Sequence, residues 1–302
     1  MVGRAVARAL QHERPDIKLF APGSRELDLT DATATEAFFF DQNDDLVVIH
    51  CAAKVGGIQA NINDPTGFLY ENLLMNCNVI HAAAQAGVRY LVNLGSSCMY
   101  PKDFSDVLKE EHLLAAPLEP TNEGYALAKL AGAKLCEYYN RQFSTCFKTI
   151  IPCNLFGPFD HFDPVSSHLI ASALLKLHQA KRDGVPRVAI WGDGTARREF
   201  LYVDDLARFI VLSLARLDAF PDYLNVGYGE DFTVLEYYAM AREAVASDVD
   251  FVFDPSKPVG MKRKLMDSSR AQQLGWKPAT PVHEGIRKTY EFMLRIEREG
   301  TL

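Results

Sequence analysis

Five side chains in three short segments could do chemistry together: Ser96 and Cys98 in a Ser-Ser-Cys turn, Tyr125 and Lys129 at the start of a helical pattern, and His168 further along. Four residues make a little over one helical turn, so Tyr125 and Lys129 share a face. An ammonium beside a phenol favours the phenolate, and a tyrosine so tuned can exchange a proton with a ketone oxygen near neutral pH. A thiol and an imidazole can both move protons in the same pH range. Taken singly, Cys98 also reads as a small buried residue, and His168 as a helix-start histidine bonded to backbone.

The elements that must position these groups are legible in outline. Tyr90 to Leu94 reads as a short buried strand broken by Gly95, which leaves Ser96 at the strand's carboxyl end, where open α/β sheets bind ligands. The same segment also reads as a turn rich in small residues. Apolar β-rich runs at Ile17 to Phe20, Leu46 to Cys51, Tyr90 to Leu94 and Thr149 to Leu155 alternate with helical patterns at Val2 to Gln11, Ala32 to Phe40, Tyr70 to Ala86 and Tyr125 to Gln142. That alternation predicts an α/β fold, a doubly wound parallel sheet. Further strands are expected at Arg187 to Trp191 and Glu199 to Val203, followed by a helix with Asp204 and Asp205 in N-cap positions. The expected division is 1–160 for the first lobe and 161–302 for a smaller interleaved α/β lobe, with roughly 187–228 partly returning to the first.

The 302 residues are 48% apolar and 24% charged, enough for a substantial core. A formal net charge of -7 gives no electrostatic case for nucleic acid, and no basic cluster is long enough to imply an anionic membrane. No apolar stretch approaches bilayer length and no secretion signal opens the chain, so a cytoplasmic location is expected. Cys51, Cys77, Cys98, Cys136, Cys146 and Cys153 form neither a CxxC pair nor a zinc-like spacing, so they read as free thiols and no metal site is expected.

Several longer segments carry a resemblance: CAAKVGGIQAN from Cys51, LGSSCMYP from Leu94, LEPTNEGYALAKLAGAKLCEYYNRQ from Leu118, NLFGP from Asn154, SSHLI from Ser167, WGDGTARREFLYVDDLA from Trp191 and SKPVGMKRKLMD from Ser256. With them the chain resembles the extended short-chain dehydrogenase/reductase superfamily and, within it, the GDP-L-fucose synthase family of epimerase/reductases. The resemblance implies a Rossmann-like fold, NADP(H) as cofactor, a GDP-sugar substrate and a homodimer. It places the reductive serine, tyrosine and lysine on Ser96, Tyr125 and Lys129, and the epimerising pair on Cys98 and His168. Cofactor contacts fall on Gly3, Arg25, Ala52, Ala53, Tyr125, Lys129, Asn154, Leu155 and His168; substrate contacts fall on Lys176, Trp191, Arg198 and Lys264. The chemistry is coherent, because a C4 ketone acidifies the hydrogens on C3 and C5, and inversion needs one group to remove a proton and another to return one from the opposite face. Dehydratases of the superfamily would be expected to carry acidic residues just after the serine, where this chain has Cys98 and Met99.

One departure stands at the amino terminus. The resemblance expects an apolar strand and a GxxGxxG turn there, and Gly3 matches only the last of those glycines. The sheet is therefore expected to lack its first strand, leaving a gap between the Ile17–Phe20 and Leu46–Cys51 segments or a direct pairing of the two. A start codon placed too late would explain this. Two alternatives remain open: another nucleotide-sugar epimerase or reductase of the same fold, or a non-catalytic sugar-nucleotide or dinucleotide sensor.

Overall fold

The computed structural model describes residues 1–42, 46–103, 107–163, 167–257 and 260–301; residues 258 and 259 of the SKPVGMKRKLMD segment fall outside these. Along the chain come helices α1 (Val2–Glu13) and α2 (Ala32–Phe40), strand β1 (Val47–His50), helices α3 (Ile58–Asn63) and α4 (Pro65–Gln85), strand β2 (Tyr90–Leu94), helix α5 (Glu123–Phe143) and strands β3 (Cys146–Pro152) and β4 (Asn154–Phe156). Then follow α6 (Leu169–Asp183), β5 (Arg187–Trp191), β6 (Arg197–Arg198), β7 (Phe200–Tyr202), α7 (Val203–Ser213), β8 (Tyr223–Val226), β9 (Phe232–Thr233), α8 (Val234–Val245), β10 (Asp250–Asp254), β11 (Arg263–Lys264), α9 (Ser269–Gln273) and α10 (Val282–Arg298).

The main sheet has the order β1-β2-β3-β8 and is parallel throughout. Alternate side chains of β2 point to opposite faces, and the burial follows. Val92 and Leu94 join a core with α1 and α7, while Leu91 packs on the other face with Val79 and Ile80 of α4, Tyr139 of α5 and Phe147 of β3. Helices on both faces make this a doubly wound, Rossmann-like sheet. A separate core gathers Ile170 and Leu174 of α6, Ile190 of β5, Phe200 and Tyr202 of β7, Tyr237 of α8 and Met293 of α10. The parallel pair β4–β7 contributes to both cores, Leu201 to the first and Phe156, Phe200 and Tyr202 to the second, and β11-β6-β9 forms a separate three-stranded group.

Three expectations need correction. Ile17 to Phe20 does not form a strand; it is irregular, with Ile17 and Phe20 38% and 39% exposed. A strand exists only through its ladder, and among the described residues no segment pairs with this one or with the outer edge of β1. So neither the gap between two strands nor their direct pairing is seen. Second, Thr149 to Leu155 is not one strand: it divides at Cys153 into β3, which joins the main sheet, and β4, which pairs with β7. Third, the N-cap of α7 is Tyr202, and Asp204 and Asp205 occupy its first turn. There they face the positive end of the helix dipole while binding neighbours: Asp204 accepts from Arg8 at 2.6 Å, and Asp205 from the amides of Ala279 and Thr280 at 2.9 and 2.8 Å.

Candidate active site

The site starts at the end of β2. Gly95 donates its amide to the Ile150 carbonyl at 2.8 Å, and a Cβ there would lie only 3.1 Å from Met99 Sδ and Thr149 Cγ2 and 3.2 Å from Ile151. Close approach, not a special dihedral, is what calls for glycine. The chain then turns into a single 3-10 turn, Ser97–Met99, whose amino end is tied by Ser96: its Oγ accepts from the Cys98 amide at 3.2 Å, and its own amide donates to Met99 Sδ at 3.3 Å. The Ser96 hydroxyl and the Cys98 thiol therefore spring from one stiff turn.

Helix α5 brings the partners. Lys129 is 2% exposed and donates from Nζ to the Leu94 carbonyl at 2.7 Å, which locks the helix to the end of β2. The Ser96 side chain is hydrogen-bonded to the Tyr125 phenol. Burial, with Cys98 adding to it and the Ser96 bond opposing, holds this phenol above its ordinary value. Burial also pulls the Lys129 ammonium down to about 8, the Cys51 thiol working the other way. The expectation that Lys129 drives Tyr125 toward phenolate is thus corrected. The ammonium is turned to a carbonyl and stands 5.9 Å from the Tyr125 ring centroid, so desolvation, not Lys129, sets the direction in which the phenol is shifted.

Cys98 is half-buried and receives two donors, Asn122 Nδ2 at 3.0 Å and Lys264 Nζ at 3.6 Å. Lys264 is 8% exposed and is the register partner of Arg198 across β11 and β6. Arg198 donates to the Arg197 carbonyl at 2.7 Å, Tyr237 donates to the Arg198 carbonyl at 2.9 Å, and burial lowers the guanidinium from its usual value, with Glu119 and Cys98 nearby opposing. Two cations side by side, both largely desolvated, suit an anion placed between or before them. Trp191, at the end of β5, carries a second cluster: Lys176 Nζ lies 5.6 Å and Lys257 Nζ 5.8 Å from its ring centroid, and Lys176 also reaches the Tyr238 hydroxyl at 3.4 Å.

His168 is the exposed N-cap of α6, near enough to the half-buried Asp160 to influence its carboxyl; the described contacts of Cys98 are to other groups. Gly3 lies in the first turn of α1, where a Cβ would meet Cys51 at an ordinary 3.5 Å, and Ala52 and Ala53 come after Cys51 beyond the end of β1. That first turn has no side-chain cap and no acidic residue, so its amides suit a phosphate beside the end of β1. With Ser96, Tyr125 and Lys129 at the end of β2, these residues would suit a nicotinamide dinucleotide. Asn154 spends its amide on the Glu199 carbonyl at 2.9 Å, tying β4 to β7, and Leu155 packs against the first core. Arg25 is exposed in a turn and has no described contact with this site.

Sequence reasoning passed over Asn122, Lys257 and Glu199. Asn122 precedes a helix and reads as an ordinary cap, while Glu199 hides beside Arg198. Its carboxylate accepts from the amides of Gly229 at 2.7 Å and Met266 at 3.0 Å, holding together the loops behind the site, although burial raises it to about 7.

The chain is similar to known proteins in sequence and in fold. The family model described as the NAD dependent epimerase/dehydratase family matches residues 1–227. A GDP-L-colitose synthase of Yersinia pseudotuberculosis is 45% identical, with 97% of this chain and 95% of that protein covered, and a GDP-L-fucose synthase of Escherichia coli K12 is 43% identical, with 97% and 94% covered. Among solved structures, a GDP-6-OMe-4-keto-L-xylo-heptose reductase from C. jejuni superposes with a TM-score of 0.91 at 32% identity, covering 97% of this chain and 94% of that one. A GDP-L-fucose synthetase from Naegleria fowleri bound to NADP gives 0.87 at 25% identity, covering 100% and 93%. By sequence and by fold, the chain belongs to the NAD dependent epimerase/dehydratase family.

Proposed function

We propose that this protein is an NADP-dependent epimerase and oxidoreductase that converts GDP-4-keto-6-deoxy-D-mannose to GDP-L-fucose, first inverting C3 and C5 and then reducing the C4 ketone. The observation that carries the reading is the convergence of Ser96, Cys98 and Tyr125 at the end of β2, with Lys129 locked beneath them. Relatives named GDP-L-fucose synthase at 41% to 44% identity over nearly the whole chain support it. When bound, NADPH would supply the hydride that reaches C4.

This chain's residues supply the rest. Cys98 and His168 exchange protons with the carbons flanking the ketone, Ser96 donates a hydrogen bond to the C4 oxygen, and Tyr125 gives that oxygen its proton. Lys129 orients Tyr125 and holds the cofactor ribose. Gly3, Arg25, Ala52, Ala53, Asn154 and Leu155 flank the cofactor. Arg198 and Lys264 take the substrate diphosphate, while Lys176 and Trp191 face the nucleoside-sugar. His168 stands at the amino end of α6, exposed and so accessible to a substrate.

The chain divides at about residue 160 into a dinucleotide-binding part and a substrate part, and the pairing of β8 with β3 supports the partial return of 187–228 to the first. A homodimer is supported by the exposed Leu127 and Tyr138, which share one stripe of α5, with Tyr70 exposed on the neighbouring α4. Among the described residues no helix is long and apolar enough to cross a membrane, and a cytoplasmic location is our reading. The 45% identical GDP-L-colitose synthase favours one second reading, the same chemistry on another GDP-4-keto-deoxy sugar.

The test uses Cys98→Ser and Tyr125→Phe. Cys98→Ser should lower solvent-deuterium exchange at C3 and C5 by about 10²- to 10⁴-fold while sparing some ketone reduction; Tyr125→Phe should keep exchange and lose NADPH oxidation by a similar factor. Unchanged exchange in folded Cys98→Ser removes Cys98 from the mechanism, and turnover of other GDP-4-keto sugars in preference to the 6-deoxymannose derivative would select the second reading.

A further inference from the structure

Asn122 stands at the N-cap of α5, where an asparagine ordinarily accepts from the amides of the first helical turn. Here it makes no such bond. Its amide nitrogen instead donates to Cys98 Sγ at 3.0 Å, and its Oδ1 is enclosed without a hydrogen-bond partner. A buried polar atom left unsatisfied, on a side chain that forgoes its cap, indicates an orientation held for another purpose. Lys264, 8% exposed and fixed in β11, also brings Nζ to 3.6 Å of the same sulfur. An amide hydrogen and an ammonium both favour a sulfur that carries negative charge.

We propose that Asn122 and Lys264 are positioning residues for Cys98, which hold its sulfur in one rotamer and stabilise the thiolate. The inference rests on the epimerase reading and deepens it by naming what prepares the proton-transfer group. When the thiolate takes a proton from a carbon beside the ketone it becomes a thiol, and the C–H electron pair passes to the ketone oxygen as an enolate. A second acid then returns a proton to the opposite face. The charged and titratable groups around Cys98 are Tyr125 of α5, Arg198 of β6 and Lys264 of β11, with Glu119 beyond Arg198. Lys264 thereby serves two neighbours: the sulfur, and the anion site it shares with Arg198.

The test is the pH profile of Cys98 alkylation by iodoacetamide in the full chain. Peptide mass spectrometry separates Cys98 from the exposed Cys77. Near neutral pH, Asn122→Leu and Lys264→Met should each slow Cys98 alkylation about tenfold, with the rate recovering as pH rises. Asn122→Asp, nearly isosteric, should slow it further by placing a carboxylate beside the sulfur. Lys264→Arg should restore most of the rate. Deuterium exchange at C3 and C5 should fall in parallel. A superimposable alkylation profile in folded Asn122→Asp and Lys264→Met overturns the proposal, and Asn122→Asp decides it should Asn122→Leu fail to fold. If Cys98→Ser keeps its deuterium exchange, the epimerase reading fails by itself, because alkylation reports on the sulfur whatever the reaction.

Discussion

The main sheet and the β11-β6-β9 group handle charge by opposite means. On the Rossmann side, Lys129 is enclosed, has a single carbonyl for its ammonium, and is pulled down to about 8 by desolvation. On the other side, Asp231 is as well enclosed, its side chain 5% exposed, yet its carboxyl is held below the usual range. Burial acts to raise it, but Arg263 at 2.5 Å and Arg197 at 2.9 Å outweigh that. The contrast is instructive: burial alone does not set a charge state, and the outcome turns on whether an opposite charge is built in. The first leaves an ammonium with no opposite charge among its described contacts, whereas the second ties β6 to β11 through Asp231.

The largest effect is expected where the charge is unpaired. Lys129→Met should lower NADPH-dependent reduction by about 10²- to 10⁴-fold, read as initial rates with a 4-keto sugar. The same variant should alter stability with pH. Because the folded ammonium titrates at about 8 and the unfolded one at about 10.4, the unfolded chain binds more protons between those values, and wild-type stability should rise with pH across that window by at most about 3 kcal/mol. Urea midpoints measured from pH 7.5 to 10 should show that rise in the wild type and its loss in Lys129→Met. An equal rise in both would mean that Lys129 is not desolvated, and the contrast between the two sides would collapse.

Next comes the paired side. Asp231→Ala leaves Arg197 and Arg263 without their carboxylate, but both arginines are partly solvated, so the cost should be about 1–3 kcal/mol in urea denaturation, below that of breaking a fully buried pair. Its pH dependence has the opposite sense. A carboxyl held below its unfolded value contributes stability fully present above about pH 4 and lost as pH falls further through its folded value. Asp231→Ala should therefore flatten the acid limb and leave the alkaline limb untouched. Added salt should narrow the gap between Asp231→Ala and wild type while leaving the Lys129 slope in place.

The smallest effect tests packing under the unpaired side. Gly95→Ala puts a methyl 3.1 Å from Met99 Sδ and Thr149 Cγ2, tight enough that the 97–99 turn must give by a few tenths of an ångström. The expected loss is about 1–2 kcal/mol of stability, with a larger proportional loss of activity because Ser96 and Cys98 ride on that turn. Stability lost with activity unchanged would show that the turn need not be stiff.

Much of this molecule was legible from the chain alone, and the reason is locality. Asp31 capping the Ala34 amide and the apolar run after it define α2 at the predicted residues, and the β-branched and apolar runs at Tyr90–Leu94 and Arg187–Trp191 end where Gly95 and Gly192 interrupt them. The four-residue spacing likewise put Tyr125 and Lys129 on one face. What depends on distant partners was not legible. Ile17 to Phe20 has the composition of a strand, but a strand is completed by its neighbour's carbonyls and amides, and none lies alongside it among the described residues. Asn122 reads as a cap until α5 is docked against the 97–99 turn, where the sulfur competes for its amide. Lys264 lies 166 residues from Cys98 in the chain and meets it only because β11 pairs with β6 beside that turn. Residue types and local spacing determined which groups could transfer a proton, whereas the tertiary structure decided which are desolvated, which are paired, and which therefore carry charge.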